Sequence, residues 1–385
     1  MSGLGLRLLY LFNAQRAANA AGRERRRERL RNLRLRRCRA ADAFSVMSDR
    51  DFIKTYRLTK PQMKDLIREL EPYIPKEKKR DGLDAACKVL IALAFFASGS
   101  YQTLVGQSVV HAVSQPTVSR AIQQVTTALN NETFYRKHVN FPLTREARER
   151  IRRRFYVKFG VPGVVGCVDG THVCIIKPSV HEEAYYCRKG YHSLNVMIVS
   201  ICDADLNILC VDPSSPGSTH DSTVWRDHPL NNHLNGVNES GETNFLLGDS
   251  GYALRKNLLT PILNADEGSP EEHYYGKHVR ARNVVERTIG VLKARYRCLL
   301  VARQLHYMPE MAAKMVNACC VLHNIANRSR LQVPELSESE RCDERRLQLQ
   351  QRHEETALAP AAQAAAAVVA GPARRHNPPL AQGRA

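Results

Sequence analysis

Gly163-Val164-Val165-Gly166-Cys167-Val168-Asp169-Gly170-Thr171-His172 decides how this chain is read. A short apolar, β-prone run from Val164 to Val168 ends in an aspartate followed by a glycine. A carboxylate at a strand's end, next to a residue that relaxes backbone sterics, presents an acid at the rim of a sheet. Taken alone, Asp169 could equally start an Asp-Gly turn. Two further stretches bear on the choice. Phe245-Leu246-Leu247-Gly248-Asp249-Ser250-Gly251-Tyr252 again brings an apolar run to an aspartate before small residues. Asn283 to Arg297 reads as an amphipathic helix. Val285, Ile289, Leu292, Tyr296 and Leu299 make its apolar stripe, and Arg282, Glu286, Lys293 and Arg297 a neighbouring polar face. If two strand-end aspartates and one helix glutamate converge, they offer the carboxylate oxygens that hard cations prefer.

Four stretches carry a resemblance to a known family. Gly166 to His172, Gly217-Ser218-Thr219-His220-Asp221-Ser222, Leu247 to Tyr252 and Asn283-Val284-Val285-Glu286-Arg287 resemble, in order, motifs of PIF/Harbinger-type DDE transposases. The likeness is in particular to the vertebrate Harbinger transposase-derived nucleases, and it runs from about Asp51 to Asn327. It implies an α/β fold, an RNase H-like mixed sheet flanked by helices in which the first and fourth strands lie side by side. It also implies a DDE triad at Asp169, Asp249 and Glu286, with Asp221 as a further acidic metal ligand. The implied cofactor is Mg2+ or Mn2+, two ions per site, and the implied substrate is DNA. In such systems a separate Myb-like protein can supply DNA recognition.

Composition agrees with a polyanionic partner. The formal charge is +19 and the pI about 9.6, which favours nucleic acid or an acidic membrane surface. Residues 1–40 hold twelve arginines against two glutamates. This arm reads as a nuclear import and phosphate-contact segment, as an Arg-rich organelle presequence, or as a solvated disordered tail. Import into the nucleus, with some cytoplasmic protein, suits a DNA-directed activity best. The 11 cysteines form no Cys-x-x-Cys pair. Those at 167, 174, 202 and 210 lie in apolar runs, as buried free thiols do, which points to a reducing compartment rather than structural zinc. The longest apolar stretch, Ala85 to Ala97, is interrupted by Lys88 and too short to span a bilayer, so a soluble chain with no membrane partner is expected. An oligomer is left open.

Four regions follow: a basic disordered arm at 1–45, a helical domain at 46–140, the nuclease domain at 141–330 and a low-complexity disordered tail at 331–385. Within the second, Tyr101–Ala112 and Thr117–Leu129 flank a tight turn and resemble a helix-turn-helix. Gln115, Thr117 and Arg120 stand on its exposed face as candidate DNA contacts, although simple helical packing explains the pattern as well. Phe141 to Phe159 is a basic connector, either a solvated face or a phosphate contact. Arg188, Lys293 and Arg297 are candidate holders of the scissile backbone.

Each acid has a bland explanation too. Glu286 could pair with Arg282 one helical turn earlier, Asp221 could cap a helix predicted over Ser218–Leu230, and Asp249 could belong to a turn. His172 and His220 suit a hydrogen-bonding scaffold better than proton transfer. The combination favours a transposase-derived, metal-dependent nuclease. An active cut-and-paste transposase uses the same acids, and a non-catalytic DNA or chromatin adaptor needs none of them.

Overall fold

The computed structural model describes residues 15–29, 31, 43–76, 82–108, 111, 113–200 and 206–344. The expected turn around Asp203–Asp205, Cys202 and most of the low-complexity tail lie outside these residues. The chain divides into two compact units, Met1–Val139 with Leu292–Glu335, and Asn140–Val291 with Leu336–Ala385.

The first unit is helical. Residues 15–29 form α1, exposed throughout, where the sequence suggested a disordered arm. Arginine, glutamate and alanine are good helix formers, and the helix follows that local preference. It continues with α2 (Asp49–Tyr56), α3 (Lys60–Leu70), α4 (Ala85–Ser98), α5 (Gln102–Gln107), α6 (Gln115–Leu129) and α7 (Glu132–His138). Thr59 opens α3 through a capping box with Gln62, satisfying two otherwise orphaned backbone donors. α4 is buried almost all round, which explains a run with little polar face.

The second unit holds the sheet. After α8 (Arg145–Phe159) come β1 (Val164–Cys174), α9 (Glu182–Tyr185), β2 (Ser193–Ser200) and β3 (Ile208–Pro216). They are followed by α10 (Asp221–Asp227), α11 (Pro229–Glu239), β4 (Phe245–Leu247), β5 (Leu258–Leu259) and the long α12 (Pro270–Arg295). The strand order is β3-β2-β1-β4-β5. β2 runs antiparallel to β1 and β3, whereas β4 runs parallel to β1, and β5 to β4. β1 and β2 are buried on both faces, so their sequences read as continuous apolar runs instead of alternating ones. Trp225 is fully buried in a cluster with Val165, Val168, Met197, Leu234 and Leu246.

Two expectations change in detail. Asp169-Gly170 is neither a turn nor a strand end, because β1 continues to Cys174 with Asp169 opposite Ile198 and Gly170 opposite Met197. The helix expected over Ser218–Leu230 is two helices, α10 and α11, parted at His228. Pro229 lacks the amide a continuing helix needs and starts the second one instead. The two compact units divide within α12, at Val291. The reason lies in α13 (Pro309–Arg328), which packs on α6 and α7 of the helical unit. There Asn324 donates to the His138 carbonyl at 2.8 Å.

Candidate active site

The two aspartates are set side by side by strand register. β4 pairs with β1 through Val164–Phe245, Gly166–Leu246 and Cys167–Leu247 and then stops. Asp169 lies two residues beyond the last pair within β1, and Asp249 two residues beyond it just past the end of β4; the paired strands are spaced about 4.8 Å apart. Both are buried. Asp249 Oδ1 accepts the Gly251 amide at 3.0 Å, an Asx-type turn that ends the strand, and Asp169 Oδ1 accepts the Gly170 amide at 3.0 Å.

The third acid comes from α12. Glu286 accepts from Arg282 Nη1 at 2.5 Å, the local pair its sequence spacing allows. Arg282 does more than that. Its Nη2 donates to Asp169 Oδ1 at 3.0 Å and lies 3.5 Å from Asp249 Oδ2. One guanidinium therefore touches all three carboxylates. Asp221 joins from another side. It is the first residue of α10, makes no cap, and accepts from the Asn195 side chain at 2.5 Å, while Asn195 also donates to the Thr219 carbonyl at 2.8 Å. A Cβ on Gly170 would come within 2.4 Å of the Asp221 carboxylate. Glycine after Asp169 therefore lets Asp221 lie against the strand.

Burial and crowding dominate the electrostatics. The Asp169 carboxyl is pushed up to about 7, first by burial, with Asp249, Asp221 and Glu286 adding to the rise and Arg282 opposing it. Asp221 is pushed up to about 6 by burial and then by Asp249, against the Asn195 hydrogen bond, Lys189 and Arg282. The Tyr252 hydroxyl, buried and near Asp221, Asp249 and Asp169, is pushed well above its ordinary value. That hydroxyl has no hydrogen-bond partner among the described residues. Among those residues no three His, Cys, Asp or Glu side chains close on a single point as a metal cage would; the acids turn to the guanidinium instead. The donor chemistry fits a divalent cation all the same. Hard carboxylate oxygens already converge on a positive charge, and an orphaned hydroxyl stands beside them.

A family model described as "DDE superfamily endonuclease" matches residues 168–324, a span containing all four acids. The protein named "Putative nuclease HARBI1" from Homo sapiens is 36% identical over 255 residues, covering 66% of this chain and 70% of its own. Its namesake from Xenopus laevis is 33% identical over 295 residues, covering 75% of this chain and 82% of its own. The chain belongs to the Harbinger-type DDE family. "Protein ALP1-like" from Arabidopsis thaliana is 24% identical over 251 residues, 62% of this chain and 59% of its own. No solved structure matches the chain. Among the described residues no helix is long and apolar enough to cross a membrane.

The remaining candidates fall in different settings. Arg188 is exposed and its guanidinium meets the ring of His220, the residue before Asp221. His172 Nδ1 lies 2.9 Å from Ser193 Oγ. Lys293 is buried, and Arg297 sits beyond the end of α12, donating to the Glu335 carbonyl at 2.8 Å. The helix stops at Arg295, so the polar face drawn from Arg282 through Arg297 does not extend that far. In the helical unit, Gln115 donates to the Gln102 side chain at 2.6 Å and Thr117 pairs with Ser114 at 3.0 Å, while Arg120 is exposed. Sequence reasoning missed Arg282, Asn195 and Tyr252. Asn195 did carry a signal: a polar side chain inside an otherwise apolar, fully buried strand needs a partner. Arg282 carried only its local pairing with Glu286.

Proposed function

We propose that the chain is a divalent-metal-dependent nuclease that hydrolyses DNA phosphodiester bonds, on an RNase H-like core. The observation that carries this is the convergence of Asp169, Asp249 and Glu286 on one cationic group, from a strand, the turn that ends its parallel neighbour and one helix. The strand order β3-β2-β1-β4-β5, with only β2 running against the other four strands, supports the RNase H-like assignment.

Two bound Mg2+ or Mn2+ ions would supply an activated water and shield the charge on the departing oxygen. Asp169, the most crowded carboxylate, would hold the ions together with Asp249 and Glu286. Asp221, held by Asn195, would orient a water or ligand from a fixed position. Burial around the acids keeps bulk water away and strengthens every charge interaction there. Arg188 would meet the DNA backbone. In the helical unit, Gln115, Thr117 and Arg120 would contact DNA if α5 and α6 act as a helix-turn-helix, and a Myb-like partner would add target choice. Such work belongs in the nucleus.

The test is nicking of supercoiled plasmid with Mg2+ or Mn2+. Wild type is expected to nick only with metal, and Asp169→Asn is expected to fall to background under the same conditions. An Asp169→Asn protein that nicks as wild type does sinks the proposal. Joining of a labelled 3′-hydroxyl oligonucleotide to target DNA would mark strand transfer by the same acids.

A further inference from the structure

Arg282 occupies the place where the acids meet. Its grip on them is uneven: 2.5 Å to Glu286, 3.0 Å to Asp169 and 3.5 Å to Asp249. The tightest contact is within its own helix, four residues apart, and the two looser ones cross to the sheet 113 and 33 positions away in the chain. The planar fork of arginine suits it to span several carboxylates at once, which a lysine ammonium does less well. The Arg282 and Asp169 side chains are each less than a fifth exposed. Without this cation the cluster would hold buried like charges side by side.

We propose that Arg282 is the resident counter-ion of the acid cluster and competes with the divalent ion for Asp169 and Asp249. With no metal bound it holds the three acids together; when metal binds, it yields the two strand aspartates and keeps Glu286 through the local helical pair. The site is thus assembled in advance at a cost in ion affinity. This inference rests on the metal-dependent reading of the same site, and it makes Arg282 a positioning residue.

The test uses the full chain and Mn2+ alone as probe, with binding followed by calorimetric titration and melting followed in EDTA. Arg282→Gln is expected to melt below wild type in EDTA, and adding Asp169→Asn to it should recover part of the loss, since one of the crowded charges is removed. Mn2+ is expected to bind Arg282→Gln about tenfold more tightly than wild type, within the usual range of coupling between two sites. Arg282→Lys, which keeps a charge but not the fork, should fall between them and serves if the glutamine variant does not fold. Wild type binding Mn2+ with either variant binding no more tightly overturns the competition and leaves the metal-dependent reading intact. An Arg282→Gln protein as stable as wild type in EDTA overturns the counter-ion role. Mn2+ bound by none of the proteins overturns the metal-dependent reading and the competition with it.

Discussion

Asp169 is a carboxyl whose surroundings change its acidity in the unusual direction. Its pKa rises from 3.8 unfolded to about 7 folded, and Asp221 rises to about 6. Between pH 4 and 7 the folded protein therefore holds protons that the unfolded chain has released. The stability linked to these protons is complete below pH 4 and is lost as pH climbs through 7. Buried histidines work the other way: His111, His138 and His278 are lowered to about 4 by burial, so they stabilise as pH rises toward 6.5. Comparing Asp169→Asn with wild type cancels the histidines. In EDTA the variant's Tm is expected to gain on wild type from pH 5 to pH 7 and to level off above that, as measured by scanning calorimetry. A constant difference across that range would mean Asp169 does not titrate there.

At the scale of elements, α8 shows why a charge run needs its helical spacing examined. Of its arginines, Arg148 and Arg152 lie on the same face as Ile151 and Phe155, and that face packs inward. Arg148 meets Glu242 at 2.6 Å with both side chains under a tenth exposed, and Arg152 reaches Glu242, Glu149 and the Asn244 side chain. These bonds hold the segment just before β4, so they help fix where Asp249 emerges. The Glu242 carboxyl is correspondingly held down to about 2, chiefly by the Arg148 hydrogen bond. Arg148→Ala would leave the largely buried Glu242 only its longer contacts with Arg152 and Asn244, and urea unfolding should show a loss of about 2 kcal/mol. Arg150→Ala, on the exposed side, should change stability by less than about 0.5 kcal/mol. Equal effects from the two would show that the inward pair contributes nothing.

At the scale of the whole molecule, the helical unit is built from two stretches far apart in the chain. α13 buries Met315, Val316, Val321 and Leu322 among others, and it packs on α6 and α7. A chain ending at Val291 strips that cover from α6. Circular dichroism should then show more helix lost than the deleted residues contained, together with aggregation from exposed apolar surface. If the loss matches the deleted residues alone, α1 to α7 stand without α13. The sequence could show α13 as an apolar-striped helix, but not that it returns to the N-terminal helices, because its stripe is equally fit to cover either unit.

The amino-acid sequence by itself determined what depends on short-range pattern. Apolar runs named the strands around Val164–Val168 and Phe245–Leu247, helical periodicity and caps named the helices, and ordered motifs singled out four acids. Where the pattern was local but ambiguous, as at Asp169-Gly170 or His228-Pro229, the bounds shifted. Tertiary structure alone decided the relations between distant segments: the equal offsets of Asp169 and Asp249 beyond paired Cys167 and Leu247, the reach of Arg282 across to both, and the need for a bare Gly170 beneath Asp221. Strand register and side-chain reach arise only when segments that carry no record of one another in their periodicity are packed together.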